Sequence, residues 1–149
     1  MEKETQLKRN YFLLVLVLVL VMFLAGCAGG GIVTPAGDEA AIKSVVNEYF
    51  LAINDQNWSK AKNYCVYGSD RYYATCGIED VINTLYQYAS TVTITIFVNI
   101  SNVSVNGSYA SAYISGSGII TADYYSESES MTGYYYLQKV GYSWKIYAP

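Results

Sequence analysis

Histidine is missing from this sequence altogether. Imidazole is the side chain most often used as a general base near neutral pH, and it is also the commonest metal ligand. A chain without histidine lacks the usual means of activating a nucleophile and of holding a metal ion. We therefore expect the protein to use no metal and no cofactor.

Cysteine and basic residues are scarce as well. Only Cys65 and Cys76 follow Cys27, and two cysteines without neighbouring ligands are too few for a structural zinc site. From Cys27 onward, six basic side chains stand against ten acidic ones, and the basic ones form no cluster. This mildly acidic balance argues against a nucleic-acid partner.

One long apolar run is present, at residues 11–25, and it decides where the rest of the chain works. Lys3, Lys8 and Arg9 precede it, which is the order of basic and apolar regions in a secretory signal peptide. The run is about 15 residues long, whereas a helix needs ~20 to cross the hydrocarbon core of a bilayer. A permanent membrane span is therefore the weaker alternative.

The run ends in Leu24-Ala25-Gly26-Cys27, which resembles the bacterial lipobox. The resemblance implies cleavage before Cys27 and attachment of lipid to its sulfur, and two acyl chains are enough for stable anchoring. We predict a signal peptide at 1–26 and a lipidated Cys27 that holds the protein on the extracytoplasmic face of a cell membrane, at the cell surface or in the periplasm. The alternative is an ordinary cleaved signal peptide in which Cys27 is an incidental thiol.

Export affects the two remaining cysteines, because disulfides persist outside the cytoplasm. We predict a disulfide between Cys65 and Cys76, which would close a loop of about a dozen residues and contribute roughly 3 kcal/mol in the loop-entropy model. The alternatives are two free thiols or a catalytic cysteine. A catalytic cysteine would lack a histidine to form its thiolate.

After the signal peptide, the change in composition predicts a tether followed by a folded domain. Residues 27–37 are rich in glycine and contain a proline, which predicts a flexible tether behind the lipidated cysteine. The part of the chain that follows the signal peptide has about 120 residues, enough for one domain with a single core. We place that domain at 38–149.

The first half of the domain has helical periodicity. Apolar residues recur at intervals of three and four from Ala41 to Ile53, which predicts a helix that begins near Asp38 and ends at residues 54–57. A short helix is predicted at 58–64, capped by Asn57 or Ser59. A third is predicted at 79–88, after a break at Gly77.

The second half alternates apolar and polar residues, as strands of a half-exposed sheet do. Asn106-Gly107 predicts a hairpin turn, and Gly116 and Gly118 predict bends or bulges. Strands are predicted at 91–100 with a continuation to Val105, and at 108–125, 131–140 and 142–147. Helices followed by an antiparallel meander predict an α+β fold in which three N-terminal helices pack on one face of a curved antiparallel sheet.

The order of these segments resembles a known superfamily. The stretches that carry the resemblance are 46–54, 57–61, 103–110 and 141–146, and together they look like the nuclear transport factor 2-like superfamily, also described as cystatin-like or SnoaL-like. They are similar in particular to its small bacterial lipoproteins. The resemblance implies a cone-shaped α+β domain, in which relatives hold a small molecule or their own core side chains, and it implies that homodimers are common.

Enzymes of this superfamily resemble one another in an Asp base inside the cone. No set of residues here matches that pattern, but Asp123 and Tyr124 are candidates for a catalytic carboxylate and phenol. The alternative is that Asp123 lies at a solvated hairpin end, beside Ser126 and Glu127. A working base needs a cleft and a shifted pKa, which a sequence does not reveal.

Tyrosine is the compositional outlier, with 17 in the chain. Its ring can bury apolar surface while its hydroxyl remains in contact with water, which suits both recognition surfaces and half-exposed strands. We favour the interpretation that tyrosine replaces phenylalanine on the outer face of the sheet. The alternative is that the tyrosines form a carbohydrate- or peptide-binding surface. Adjacent tyrosines on a strand point to opposite faces, so half of each pair is expected in the core.

Three hypotheses about function follow. The first is a non-catalytic lipoprotein domain that binds a small molecule or another envelope protein. The second is an isomerase- or cyclase-like enzyme, which needs a carboxylate buried in the cone with a raised pKa. The third is a structural or assembly module that dimerises through its exposed sheet face. An open polar pocket would favour the first two, and a cone filled with side chains would favour the third.

Overall fold

The computed structural model describes residues 36–148. The predicted signal peptide, Cys27 and the predicted tether as far as residue 35 lie outside the described part. The last two residues of the predicted tether, 36 and 37, instead begin the first helix. In chain order the elements are α1 (Ala36–Asn54), α2 (Trp58–Asn63), α3 (Asp70–Leu85), β1 (Val92–Asn106), β2 (Tyr109–Ala122), β3 (Tyr125–Val140) and β4 (Ser143–Ala148). Three helices therefore precede four strands, as the sequence predicts.

Helix α1 confirms the strongest helical pattern in the sequence. Its apolar residues recur on one face, and Ile42, Val46, Tyr49, Phe50 and Ile53 are all buried. A stripe of that width is what a helix needs to cover one side of a core. Helix α2 follows after a short turn, and the Asn57 side chain caps it by accepting a hydrogen bond from the Lys60 backbone N–H at 3.1 Å.

Helix α3 differs from its prediction. It runs from Asp70 to Leu85 rather than over 79–88, and Gly77 lies inside it instead of breaking it. Ser69 starts the helix by accepting a hydrogen bond from the Tyr72 backbone N–H at 3.3 Å. The intrinsic cost of a helical glycine is about 1 kcal/mol, and burial of the inner face offsets it. That inner face consists of Arg71, Thr75, Ile78, Ile82 and Leu85.

The strands form one antiparallel sheet in the order β1-β2-β3-β4. Each hairpin has two turn residues, and one of them has positive φ: Gly107 at 60°, Asp123 at 50° and Gly141 at 62°. The pairing of Asn106 with Tyr109 puts the first turn at Gly107-Ser108, one residue later than predicted. With φ positive at the first turn position, it has the pattern of a type II′ hairpin.

Among the described residues the sheet has two irregularities, and neither lies at the predicted glycines: the β3–β4 register shifts between Tyr136 and Leu137, and the other irregularity lies in β1. The β1–β2 register shifts between Ser101 and Ser104, where Asn102 has a φ of 47°. Gly116 and Gly118 remain in regular register with β1 and β3. Gly116 is needed for close approach, because a β-carbon there would collide with the Phe97 carbonyl oxygen.

Side chains and loops cover parts of both sheet edges. On β1, the Asn54 side chain accepts from the Ile96 N–H at 2.7 Å and donates to the Ile96 carbonyl at 3.0 Å. Gln56 donates to the Val92 carbonyl at 2.8 Å. On β4, the Ile146 N–H donates to the Tyr64 carbonyl at 2.9 Å. Covered edges do not add strands from another chain.

The core lies between the helices and the inner, concave face of the sheet. Alternate residues of each strand point into it, as strand geometry requires. It contains large side chains from both layers, with Tyr49, Phe50, Ile78 and Ile82 from the helices and Ile114, Met131, Tyr135 and Leu137 from the strands.

Candidate functional site

Arg71 lies in the interior of the domain with no exposed surface. Helix α3 places it there because Ser69 caps the helix two residues earlier, and Thr75 lies one turn further on the same face. Arg71 and Thr75 are the buried polar or charged residues within 36–148. Since a guanidinium stays protonated in proteins, the centre of the domain is positively charged.

A closed ring of hydrogen bonds includes the Nε of this guanidinium. Arg71 Nε donates to the Tyr49 hydroxyl at 3.0 Å, and Thr75 Oγ1 donates to the Arg71 carbonyl at 2.8 Å. The Tyr49 hydroxyl lies 3.0 Å from Thr75 Oγ1. Because Thr75 has already given its one proton, Tyr49 must be the donor in that contact. The direction of every bond in the ring is thus determined.

Two tyrosine rings also flank the guanidinium. Its central carbon lies 4.9 Å from the Tyr49 ring centre and 4.6 Å from that of Tyr135, within the range of cation–π attraction. The hydroxyl of Tyr135 is buried and has no hydrogen-bond partner within the described residues. Burial raises the pKa of both phenols, so both are neutral near pH 7.

Cys65 borders this cluster. The predicted disulfide between Cys65 and Cys76 is wrong. Cys65 and Cys76 are both free thiols. The Cys65 sulfur lies 3.6 Å from the Ala61 carbonyl and 3.7 Å from Thr75 Oγ1. Since Thr75 faces the interior, Cys76 is turned about 100° away from it around α3. Burial raises the pKa of the Cys65 thiol, which makes it a poor nucleophile.

The concave face also carries two carboxylates that the sequence reasoning missed. Glu127 pairs with Ile120 and Glu129 with Gly118, so both share the inward face of β3 with Met131 and Tyr135. Both are only partly buried. The period of two along β3 was the signal that could have revealed them.

Asp123 and Tyr124 lie outside the interior, in the turn between β2 and β3. Tyr124 is 99% exposed. The Asp123 carboxylate accepts from the backbone N–H of Thr91 at 2.9 Å and of Ser90 at 3.0 Å. These bonds hold the pKa of Asp123 below its usual value, whereas a base that works near neutral pH needs a raised one. This placement corresponds to the solvated hairpin end.

A second feature lies on the outer face of the sheet, opposite the helices. Five tyrosines form a continuous chain of ring contacts there, which we call the tyrosine strip. The centroid distances are 5.2 Å for Tyr113–Tyr134, 6.5 Å for Tyr134–Tyr136, 6.3 Å for Tyr136–Tyr147 and 6.2 Å for Tyr147–Tyr109. Tyr109 is 54% exposed, and the other four are half-buried.

The outer face around the tyrosine strip is uncharged along both central strands. The other residues of β2 and β3 on this face are Ser111, Ser115, Ser117, Ile119, Thr121, Ser126, Ser128, Ser130, Thr132, Gln138 and Val140. A charge comes only at the edge, where Lys145 pairs with Gln138 and donates to the Asn63 carbonyl at 2.9 Å. The outer face therefore combines aromatic rings with neutral hydroxyl groups.

The tyrosines divide between the two faces only where the strand prediction was right. Tyr135 is buried between Tyr134 and Tyr136, which lie outside, and this confirms the expected alternation. Tyr72 and Tyr73 lie on α3, outside every predicted strand, so the alternation of a strand does not apply to them. The Tyr124–Tyr125 pair is exposed at the second hairpin.

Within residues 36–148, no helix is long and apolar enough to span a membrane. The same residues contain no group of three or more acidic, cysteine or histidine side chains that could hold a metal ion.

Comparisons with known proteins identify the fold. No protein family and no curated protein matches the sequence. A candidate dehydratase of the NTF2-like family from Streptomyces avermitilis has a similar structure, with a TM-score of 0.58 and 11% identity over 76% of this chain and 94% of its own. A candidate scytalone dehydratase from Novosphingobium aromaticivorans gives 0.52 and 13% identity over 74% of this chain and 79% of its own.

A third similar structure is a cystatin-like protein of unknown function from Nostoc punctiforme, with a TM-score of 0.51 and 7% identity over 78% of this chain and 90% of its own. The domain therefore has the nuclear transport factor 2-like α+β fold, with helices packed on a curved four-stranded antiparallel sheet. Identities this low establish the fold and leave the activity to be argued from the chain's own residues.

Proposed function

We propose that this protein is a lipid-anchored, extracytoplasmic domain without catalytic activity, and that its outer sheet face binds another component of the cell envelope. The observation that carries the proposal is the tyrosine strip. Its five rings are in contact with one another on a face that no described helix covers. Tyrosines in such a position offer contact area at low conformational cost.

The location in this proposal rests on the sequence. Basic residues, an apolar run and Leu24-Ala25-Gly26-Cys27 follow one another at the start of the chain, and this pattern is typical of a lipoprotein signal. The glycine-rich tether allows the domain to stand away from the bilayer. A domain held beside the envelope meets envelope components at high effective concentration.

A cone filled with side chains argues against a ligand inside it and leaves the outer face, for an envelope partner or for the second copy of an assembly module, as the surface for binding. The interior is occupied by the domain's own large side chains, and Tyr49, Phe50, Met131 and Tyr135 are each at most 2% exposed. An isomerase- or cyclase-like reaction would need an enclosed carboxylate with a raised pKa. The enclosed charge here is the Arg71 cation, and the concave carboxylates of Glu127 and Glu129 are partly exposed.

The anchor is tested by growing cells that produce the full chain with an alkyne analogue of palmitate. We expect the wild-type protein to take up the label and to sediment with membranes. Cys27→Ala should abolish labelling, because the acyl acceptor is gone. A labelled Cys27→Ala variant, or an unlabelled wild-type protein, would contradict the anchor.

Envelope binding is tested separately by dissolving the membranes with detergent, which releases a protein held only by lipid. We expect part of the wild-type protein to remain in the detergent-insoluble envelope fraction. Tyr134→Ala combined with Tyr136→Ala should release it. The matched control is Tyr124→Ala with Tyr142→Ala, since both of these tyrosines are fully exposed in hairpin turns away from the strip. Equal retention of the two double variants would overturn the proposal.

A further inference from the structure

We propose that the tyrosine strip is a binding site for a neutral polysaccharide, with sugar rings stacked on its aromatic faces. This inference rests on the proposed envelope-binding function and names the chemical class of the ligand. It follows from three properties of the outer face: the continuity of its rings, the hydroxyl groups around them and the absence of charged side chains on the outward side of β2 and β3.

The ring geometry suits a long, repetitive ligand. The strip begins at Tyr113 on β2, passes over Tyr134 and Tyr136 on β3 to Tyr147 on β4, and returns to Tyr109 on β2. Tyr113 and Tyr109 lie four residues apart on the outer face of β2, about 13 Å at ~3.3 Å per residue, so the rings form a curved row along the strands rather than a single pocket. A chain of pyranose rings has apolar C–H faces that pack against such a row at successive sites.

The residues beside the rings supply hydrogen bonds. Ser111 lies opposite Tyr136, and Ser115 lies opposite Thr132 next to the Tyr113–Tyr134 pair. Hydroxyl groups both donate and accept, as the hydroxyl groups of a sugar do. The tyrosine hydroxyls extend this property along the strip itself.

Charge distinguishes a neutral ligand from an acidic one. Acidic polymers are usually recognised by Arg and Lys side chains. The outer residues of β2 and β3 are uncharged, and Lys145 at the edge is already bonded to the Asn63 carbonyl. The face therefore complements a ligand that has no charge of its own.

Composition also favours a polysaccharide over a protein partner. Protein interfaces are enriched in tyrosine but depleted in serine, and serine and threonine seldom act as anchors. Here the five tyrosines, which come from β2, β3 and β4, lie among eight Ser and Thr residues on the same face of β2 and β3. A second copy of this chain would need to bury this hydroxyl-rich face, where many groups would compete with water.

The test is calorimetric titration of the full chain, solubilised in detergent, with soluble hexamers of β-linked glucose and of β-linked N-acetylglucosamine. A hexamer of galacturonic acid serves as the charged control. We expect at least one neutral hexamer to bind and the acidic hexamer to bind at least about tenfold more weakly. Tyr134→Ala should weaken binding by about tenfold or more, the loss typical of an aromatic anchor.

Two variants separate stacking from loss of structure. Tyr134→Phe keeps the ring and should retain binding to within a few-fold, whereas Tyr124→Ala removes an exposed tyrosine outside the strip and should have no effect. The thermal unfolding midpoint of each variant is measured alongside. Equal binding by Tyr134→Ala and the wild type would overturn the assignment of the strip.

Failure of the polysaccharide assignment can be told apart from failure of the envelope-binding proposal. If no neutral hexamer binds but retention in the detergent-insoluble fraction still depends on Tyr134 and Tyr136, the polysaccharide assignment is wrong and envelope binding stands. The partner is then a protein or a second copy, which cross-linking of the full chain would identify. If retention is also independent of these tyrosines, both proposals fail.

Discussion

Tyr49 and Tyr135 place two phenols beside the same buried guanidinium, yet they differ in hydrogen bonding. The Tyr49 hydroxyl accepts from Arg71 Nε and donates to Thr75. The Tyr135 hydroxyl is buried without such a partner among the described residues. An unsatisfied buried hydroxyl costs about 1–3 kcal/mol, so the two residues make a matched pair for mutation.

We expect Tyr135→Phe to raise the free energy of unfolding by about 1 kcal/mol, because it removes a buried polar group and keeps the ring against Arg71. Tyr49→Phe should lower it by about 1–2 kcal/mol, because two hydrogen bonds are lost. Urea denaturation of both variants measures the difference. A destabilised Tyr135→Phe would show that the hydroxyl has a partner, such as buried water or a ligand.

The two free cysteines differ in exposure, and this also leads to a test. Cys65 is 1% exposed and its pKa is raised by burial, so its thiolate population at pH 8 is small. Cys76 is partly exposed. We expect iodoacetamide to modify Cys76 in the native protein and to reach Cys65 only after unfolding, as read by mass spectrometry. A protein that gains two hydrogens on reduction and resists alkylation beforehand would restore the disulfide.

At the scale of elements, the start of α1 is attached to the far end of the sheet. The Asp38 carboxylate accepts hydrogen bonds from Trp144 Nε1 at 2.9 Å and from Lys139 Nζ at 3.1 Å. The Trp144 bond, followed by the Lys139 bond, lowers the pKa of Asp38. Asp38 also lies in the first turn of α1, where the helix dipole favours a negative charge.

This contact predicts an acid-dependent loss of stability. Because the folded-state pKa of Asp38 is depressed, its contribution is fully present above the unfolded value of about 3.9 and is lost as pH falls through the folded pKa. We expect Asp38→Asn to lower the unfolding midpoint at pH 7 and to match the wild type once both are measured below that folded pKa. Asn keeps an acceptor for Trp144, so the variant isolates the charge. A difference that persists unchanged at low pH would refute the assignment.

At the scale of the whole molecule, the protection of the two sheet edges leaves the outer face as the natural place for association. Asn54 and Gln56 cover the start of the β1 edge, and the Tyr64–Val66 segment covers β4. Strand addition is therefore hindered where these contacts are made. The partner that we propose would then be recognised by side chains and not by backbone pairing.

The same architecture predicts an uneven distribution of local stability. Strands β2 and β3 are each paired on both sides, whereas α2 has six residues and one fully buried side chain, Ala61. We expect amide hydrogens in the middle of β2, around Ile114, to exchange slowest and those of α2 to exchange fastest among the elements. Native-state exchange with mass spectrometry gives the ranking, and slower exchange in α2 than in β2 would contradict it.

Much of the fold could be predicted because the relevant signals are local. The spacing of Val46, Tyr49 and Ile53 requires a helical face, and the alternation along β3 requires Tyr135 inside and Tyr134 and Tyr136 outside. Helix α3 was misplaced because the glycine and cysteine at its centre outweighed its 71, 75, 78, 82 and 85 periodicity. That periodicity is also the signal that could have identified Arg71 as an inward-facing residue.

By itself the sequence determined the absence of histidine chemistry, the lipoprotein signal as an expectation, the order of helices and strands, and the abundance of tyrosine, because these depend on residue identity and short-range spacing. Only the tertiary structure decided that Arg71 lies between Tyr49 and Tyr135, that Cys65 and Cys76 are separate thiols, and that five tyrosines from three strands form one strip. Each of these depends on which elements meet and in which register. That choice is made by burial of the whole core, which no local pattern contains.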